Sequence, residues 1–378
     1  MNLAQIANLL LALAAAFLFF SAVAEVIALQ RGARGLRGLF RSAGIDFSST
    51  LLKSPLVPGV SVLLPVSDAS PESLALARRL LDLQVGRHEV VSVLDGLSPD
   101  DRSAWADEFR RVPGLVTVER SSGSALDTAL ENARYPVLGL VDPQAEFVST
   151  WPLRVMRALL EKWDSASAVV AVSLAEPADT LPGRIAALEP LRRWLIRGAA
   201  RQAPNLQGSC VLVKRDAVLA AGGFRHGAAA LLLRLHAQQQ SVAFLPERLS
   251  WRRPADTFGE ARRQTLRDQS QFPAGMRLRV GVCPLVETAG LLLAAAGAAM
   301  GWANPALAWL VVLSSAGAGI VVSMTAVVLR EAIDPGARDP RYLTRLFLAA
   351  IPENIGYRQW RNLWLIRCAL GKRRRPAE

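Results

Sequence analysis

The chain has 378 residues, 51% of them hydrophobic and only 20% charged, which excludes a disordered or collagen-like polymer and leaves ample material for a packed core. Its 44 Lys and Arg outnumber 32 Asp and Glu, giving a net charge of +12 that points to either nucleic acid or anionic lipid as a partner. Cys210, Cys283 and Cys368 lie far apart, with no C-x-x-C and no Cys/His cluster, so a disulfide framework or a structural zinc site is excluded.

Residues Asn2 to Ala24 carry no charge, and after Glu25 the apolar run resumes from Val26 to Leu29. About 20 apolar residues cross a bilayer as a helix, so residues 1–30 are long enough. Ala22-Val23-Ala24 has the look of a signal-peptide cleavage site, but no Lys or Arg precedes Arg31, and a signal peptide needs a basic start. Arg31, Arg34, Arg37 and Arg41 follow at once and resist translocation. The segment reads as an uncleaved anchor with its N-terminus outside.

From 45 to 275 the pattern alternates in the manner of an α/β sheet. Strands are predicted at Val60–Leu64, Val90–Leu94, Leu115–Val118, Val137–Val141 and Ala166–Ser173, and helices at Pro71–Leu83, Leu97–Phe109, Ala125–Ala133 and Thr150–Lys162. A parallel sheet binds ligands at the carboxyl ends of its strands. Asp68, Asp95 and Asp142 stand at three such ends. There is no G-x-G-x-x-G and no Walker A pattern. The histidines, His88, His226 and His236, are scattered and read as surface or packing residues.

Near the other end, Gly281 to Gly301 is interrupted only by Glu287, and Pro305 to Leu329 has no charge. With the turn Trp302-Ala303-Asn304-Pro305 they form a transmembrane hairpin over 281–330, with Arg277, Arg279 and Arg330 marking the cytoplasmic side. Glu287 costs about 2–3 kcal/mol inside a span unless it is paired or at interface depth, and interface depth is expected. In 341–378, Leu346 to Ile351 is too short to span and Pro352 breaks it. Tyr357 to Leu370 interleaves Trp360, Leu363, Trp364, Leu365 and Ile366 with Arg358, Arg361 and Arg367, which suits an interfacial helix. The basic tail Lys372–Arg375 closes the chain.

Val60-Ser61-Val62-Leu63-Leu64-Pro65, then Val90 to Leu94 with Asp95-Gly96, resembles the opening of family 2 glycosyltransferases. The resemblance continues at Ser124–Asp127, Leu140–Gln144, Gly208-Ser209, Gly222-Gly223-Phe224, Arg234-Leu235-His236, Gln264–Arg267 and Glu353–Gly371. It implies a cytoplasmic GT-A (Rossmann-like) domain with one N-terminal transmembrane helix, a C-terminal transmembrane hairpin and interfacial helices. The implied activity moves a sugar from a nucleotide-diphosphate donor to a lipid or glycan acceptor in cell-envelope polysaccharide or glycolipid synthesis. Asp68, Asp95, Asp142, Gln264 and Arg267 are the implied donor-binding positions.

Several chemical requirements of the resemblance are poorly met. The family's Asp-x-Asp holds Mg²⁺ or Mn²⁺ on the diphosphate, whereas here the text is Asp142-Pro143-Gln144, with Glu146 as the nearest substitute ligand. The family's Glu-Asp, which supplies the base, falls on Gly227-Ala228, so Ala228 occupies the base position and neighbouring His226 is the substitute. The Gln-x-x-Arg-Trp helix keeps Gln264 and Arg267 but has Asp268 in place of Trp. A lost base costs about 10²–10⁴ in rate. The expectation is a membrane-bound homologue with a degenerate catalytic set, a partner or regulatory subunit in a glycan-synthesis or export complex; the alternative is an active transferase using atypical residues.

The charge agrees with a membrane reading. The four arginines from Arg31 to Arg41 and the seven cations Arg358, Arg361, Arg367, Lys372, Arg373, Arg374 and Arg375 supply eleven of the twelve net charges. The remaining block lacks a basic stripe for nucleic acid, so the expected contacts are anionic headgroups and a nucleotide sugar.

Overall fold

The computed structural model describes residues 2–42, 54, 57–120, 123–142, 145–175, 179–200, 210–225, 227–252, 255–270, 274–333 and 340–370. The chain forms two compact units, one of residues 39–175 and 201–253, the other of 1–38, 176–200 and 254–378, so the block expected at 45–275 is divided between them.

The first unit is an α/β sheet flanked by helices. Among the described residues its strands are β1 (Val60–Val66), β2 (His88–Leu94), β3 (Leu115–Glu119), β4 (Val137–Val141), β5 (Ala145–Phe147), β6 (Ala166–Ala175), β7 (Cys210–Lys214) and β8 (Ser241–Arg252). They lie in the order β3-β2-β1-β4-β7-β6-β8-β5. Apolar runs make these strands, and the pleat sends alternate residues to opposite faces. Val60, Val62, Leu64 and Val66 pack with the helices Pro71–Leu81, Pro99–Glu108 and Trp151–Leu160. Leu63, Val91 and Val93 pack with Ala125–Asn132, Arg215–Ala220 and Gly227–Ala237. Ser70, Ser98 and Ser124 cap three of these helices, each Oγ accepting a backbone N–H three residues on. Pro71 and Pro99 fill the first helical position in two of them, where a missing N–H costs nothing.

The expected α/β class is observed, but the sheet is mixed. β1, β2, β3 and β4 are parallel, while β7 runs antiparallel to both β4 and β6. An apolar run reads the same in either direction, and strand direction is decided by the connection. Between β6 and β7 the chain leaves this unit for residues 176–200.

In the second unit, three helices among the described residues are long and apolar enough to cross a membrane, at Ala4–Arg37, Val282–Ala299 and Pro305–Ile333. These are the expected anchor and hairpin, and the chain reads as a multi-pass membrane protein with its arginine-flanked ends cytoplasmic. Leu11, Ala15 and Leu18 of the anchor pack with Ala294, Ala303, Ala308 and Val311 of the hairpin. Gly290 allows the close approach, since a Cβ there would lie 3.2 Å from Ala14 Cβ.

This unit also has a polar core, to which the anchor and the hairpin contribute. Glu287 is 1% exposed. Its carboxylate accepts from Ser315 Oγ at 2.6 Å, Asn362 Nδ2 at 2.9 Å, Arg358 Nε at 3.0 Å and Gln359 Nε2 at 3.3 Å. Glu353, equally buried, takes both terminal nitrogens of Arg192 at 2.7 and 3.1 Å and Ser323 Oγ at 2.7 Å. Glu189 receives Arg192, Arg193 and Arg361, and Glu25 lies 3.8 Å from Arg192. Burial alone would raise the Glu189 carboxyl, but Arg361, Arg193 and Arg192 together outweigh it and hold it well below the usual carboxylate range.

One expectation is therefore corrected. Arg358 and Arg361 do not grip lipid headgroups; they turn inward to Glu287 and Glu189. A buried carboxylate needs a cation more than a headgroup does, because unpaired burial costs several kcal/mol. Arg367 is exposed, and Lys372–Arg375 lie outside the described residues.

Candidate functional site

The carboxyl ends of β2, β1 and β4, neighbours in the parallel part of the sheet, bring Asp95, Asp68 and Asp142 to one edge. Asp95 follows β2 directly, its backbone N–H donating to Val66 O at 2.8 Å. Its Oδ1 accepts from Arg120 Nη1 at 2.8 Å, and Arg120 N–H in turn donates to Leu94 O at 3.1 Å. Gly96 then turns the chain away with φ +69, a conformation glycine adopts without strain. Arg120 escaped the sequence reading. Its signal was its place at the end of β3, the same place that drew attention to Asp95.

Asp68 works within its own turn. Its Oδ1 accepts from Ser73 Oγ at 2.7 Å and Ser70 N at 3.1 Å, and hydrogen bonds from Ser70 and Ser73 hold its carboxyl below the ordinary range. Asp142 is half-buried at the end of β4, and its carbonyl accepts Ala145 N–H at 2.9 Å. Val141 pairs with Cys210 across to β7. Burial pushes the Cys210 thiol up, a hydrogen bond with Ser250 opposes this, and the Asp142 charge adds to the rise. Cys210 is thus a neutral thiol beside the site, with no nucleophile character.

Glu146 lies on the exposed side of β5 between buried Ala145 and Phe147. Its Oε2 accepts Trp251 Nε1 from β8 at 2.9 Å. Gln144 lies outside the described residues. Among the described residues no group of three or more His, Cys, Asp or Glu side chains is gathered as a metal cage. The donors on view do not by themselves fit a divalent cation.

The loop before the helix Gly227–Ala237 is built from both sides. Asp127 is held by Ser124 Oγ at 2.7 Å and accepts Phe224 N–H at 2.5 Å. Arg234 donates to Gly223 O. Gly223 has φ +74, and a Cβ there would stand 2.6 Å from Asp127 Oδ1, so only glycine fits. Gly227 N–H closes the loop onto Phe224 O at 2.7 Å. Arg234 and Asp127 thus fix Gly223 and Phe224 ahead of this helix. Ala228 packs half-buried against the core, and His226 lies outside the described residues. Gln264, half-buried, and Arg267 stand on the helix Phe258–Ser270 of the other unit, and the Arg267 side chain is outside the described ones.

No family model matches the chain, and no curated protein does. Among solved structures it is similar to the mannosyltransferase PcManGT from Pyrobaculum calidifontis, determined with GDP-Man and Mn²⁺. That likeness has 19% identity and a TM-score of 0.49, and covers 92% of this chain and 97% of that one. It is also similar to glucosyl-3-phosphoglycerate synthase from Mycobacterium tuberculosis, at 15% identity and a TM-score of 0.37 over 60% of this chain and 85% of that one.

Proposed function

We propose that the chain is a membrane-anchored homologue of the family 2 glycosyltransferases with a degenerate catalytic set, acting as a partner or regulatory subunit in cell-envelope polysaccharide or glycolipid synthesis. The observation that carries this reading is Ala228. The described residues ahead of that position are held by Asp127 and Arg234 around Gly223, yet the position itself holds a methyl group packed on the core. A methyl group moves no proton, and the loss of a general base costs about 10²–10⁴ in rate.

Support for a retained nucleotide pocket comes from the strand-end edge. Asp95, oriented by Arg120, offers a carboxylate to a base N–H, and Asp142 stands two strands away. The persistence of Asp142 favours a second reading, a working transferase in which Asp142, Glu146 or His226 takes an atypical role. Mg²⁺ or Mn²⁺, when bound, would neutralise the departing diphosphate.

The two readings separate in one titration. Purified protein in nanodiscs is given nucleotide sugars with and without Mn²⁺, while bound nucleotide and released nucleoside diphosphate are followed. Binding that is lost in Asp95→Ala, without turnover, is the expected result. Turnover abolished by Asp142→Ala overturns the degenerate reading.

A further inference from the structure

The helix Phe258–Ser270 carries only three apolar side chains, those of Phe258, Ala261 and Leu266. A helix so polar keeps its place through specific partners rather than through a buried stripe. Its start is fixed by a capping box, in which Thr257 Oγ1 accepts Glu260 N–H at 3.2 Å and Glu260 Oε2 accepts Asp256 N–H at 2.9 Å. Phe258, the first helical residue, is thereby set against the C-terminal helix Arg358–Leu370 and Tyr357 just ahead of it. Its ring centre lies 5.7 Å from that of Tyr357 and 6.0 Å from that of Trp360, the latter in an edge-to-face arrangement. Tyr357 and Trp360 are 5.8 Å apart, and the Trp364 ring abuts Trp360. One turn along, the Arg262 guanidinium stands 5.4 Å from the centre of the Trp364 ring, a cation–π contact.

The C-terminal helix works on two faces. At about 100° per residue, positions 357, 360 and 364 fall on one side and positions 358, 359 and 362 on the opposite side. The first side carries the rings. From the second, Arg358, Gln359 and Asn362 all donate to Glu287 of the hairpin. Glu287 is buried, and a buried carboxylate loses heavily when a donor leaves, so these bonds hold the helix in one rotation and one register. All of these residues belong to the second unit.

We propose that Tyr357, Trp360 and Trp364 are positioning residues. Locked to Glu287 on one face, the C-terminal helix uses these rings to fix the helix Phe258–Ser270, and with it Gln264 and Arg267. The part of those two residues in donor binding rests on the function proposed above.

The test is hydrogen exchange of the full chain in nanodiscs, followed over residues 258–264, beside calorimetric binding of guanosine and uridine diphosphate. Trp360→Ala and Asn362→Leu are each expected to speed exchange about tenfold, and Trp360→Phe to recover most of the protection. The double change Trp360→Ala with Asn362→Leu should match Trp360→Ala alone, because the two contacts act in series. Asn8→Ala, which removes the acceptor of Asn304 N–H at the far end of the hairpin, should leave 258–264 unchanged. Arg262→Gln, an exposed change that spares the core, should speed exchange about threefold. Trp360→Ala should also weaken diphosphate binding about tenfold, with Trp360→Phe near the parent chain.

Unchanged exchange in Asn362→Leu, or multiplied effects in the double change, separates the stack from Glu287 and overturns the lock. Equal loosening in Asn8→Ala reduces the effect to general destabilisation and overturns it as well. Should Trp360→Ala fail to fold, Arg262→Gln decides, and protection equal to the parent overturns the stack. Binding by the parent chain that Trp360→Ala leaves intact overturns the positioning role alone. A parent chain that binds neither diphosphate overturns the donor-pocket reading, and the positioning role with it.

Discussion

Arg120 Nη1 donates to Oδ1 of Asp95 at 2.8 Å, tying together the carboxyl ends of β3 and β2. Both side chains are more than a third exposed, so the pair itself adds at most about 1 kcal/mol to stability. Its consequence is orientation. Asp95→Ala is expected to weaken nucleoside diphosphate binding about 10- to 100-fold, the worth of a hydrogen bond to a charged group. Arg120→Ala should weaken it less than fivefold. Calorimetry decides, and tighter binding in Arg120→Ala would show that the guanidinium competes with the nucleotide.

Gly223 leaves no room for a side chain. Gly223→Ala should destabilise the first unit by about 1–3 kcal/mol, from left-handed backbone strain and the clash with Asp127. Asp127→Ala, which leaves Phe224 N–H without its acceptor, should lose a similar amount, and Asp127→Asn should recover part of it. Thermal unfolding in detergent measures all three.

If the base position is the main defect, chemistry can be returned to it. Ala228→Asp combined with Gln144→Asp is expected to yield nucleotide-sugar hydrolysis above the parent chain, read as released nucleoside diphosphate. No gain would mean that the degeneracy extends beyond these two positions.

Arg192 and Glu353 form a two-toothed ion pair in a buried setting. Arg192→Met alone should cost about 3–5 kcal/mol, because Glu353 then keeps a buried charge that the neutral Ser323 and Asn354 do not balance. Arg192→Met with Glu353→Leu should cost clearly less than the sum of the single changes. A double-mutant cycle on unfolding free energies reads the difference, and additive costs would refute the coupling.

Glu189 gives the pH dependence its sign. Its folded pKa lies well below its ordinary value, so its contribution is whole above about pH 4.3 and is lost as the pH falls below that, through the folded pKa. The parent chain should lose more stability than Glu189→Gln as the pH falls from about 5 to about 3, compared by denaturant unfolding.

Much of this protein is readable in one dimension. Runs of more than 20 apolar residues with arginines behind them determine spans and sidedness, because hydrocarbon tolerates no free charge. Alternating strand and helix signals determined the α/β class, and strand ends placed Asp68, Asp95 and Asp142 on one edge. The reversal of β7 was not readable in this way, since residue periodicity has no direction, and neither was Arg120, whose meaning depends on β3 lying beside β2. The largest shift concerns the charge. Sequence assigned Arg358 and Arg361 to lipid because they interleave with Trp360, Leu363 and Trp364 and no acid occurs from Ile355 to Arg375. Their partners, Glu287 and Glu189, are 71 and 172 residues away. Only folding brings such groups within 3 Å, and once burial has removed water, pairing with a carboxylate outweighs any headgroup.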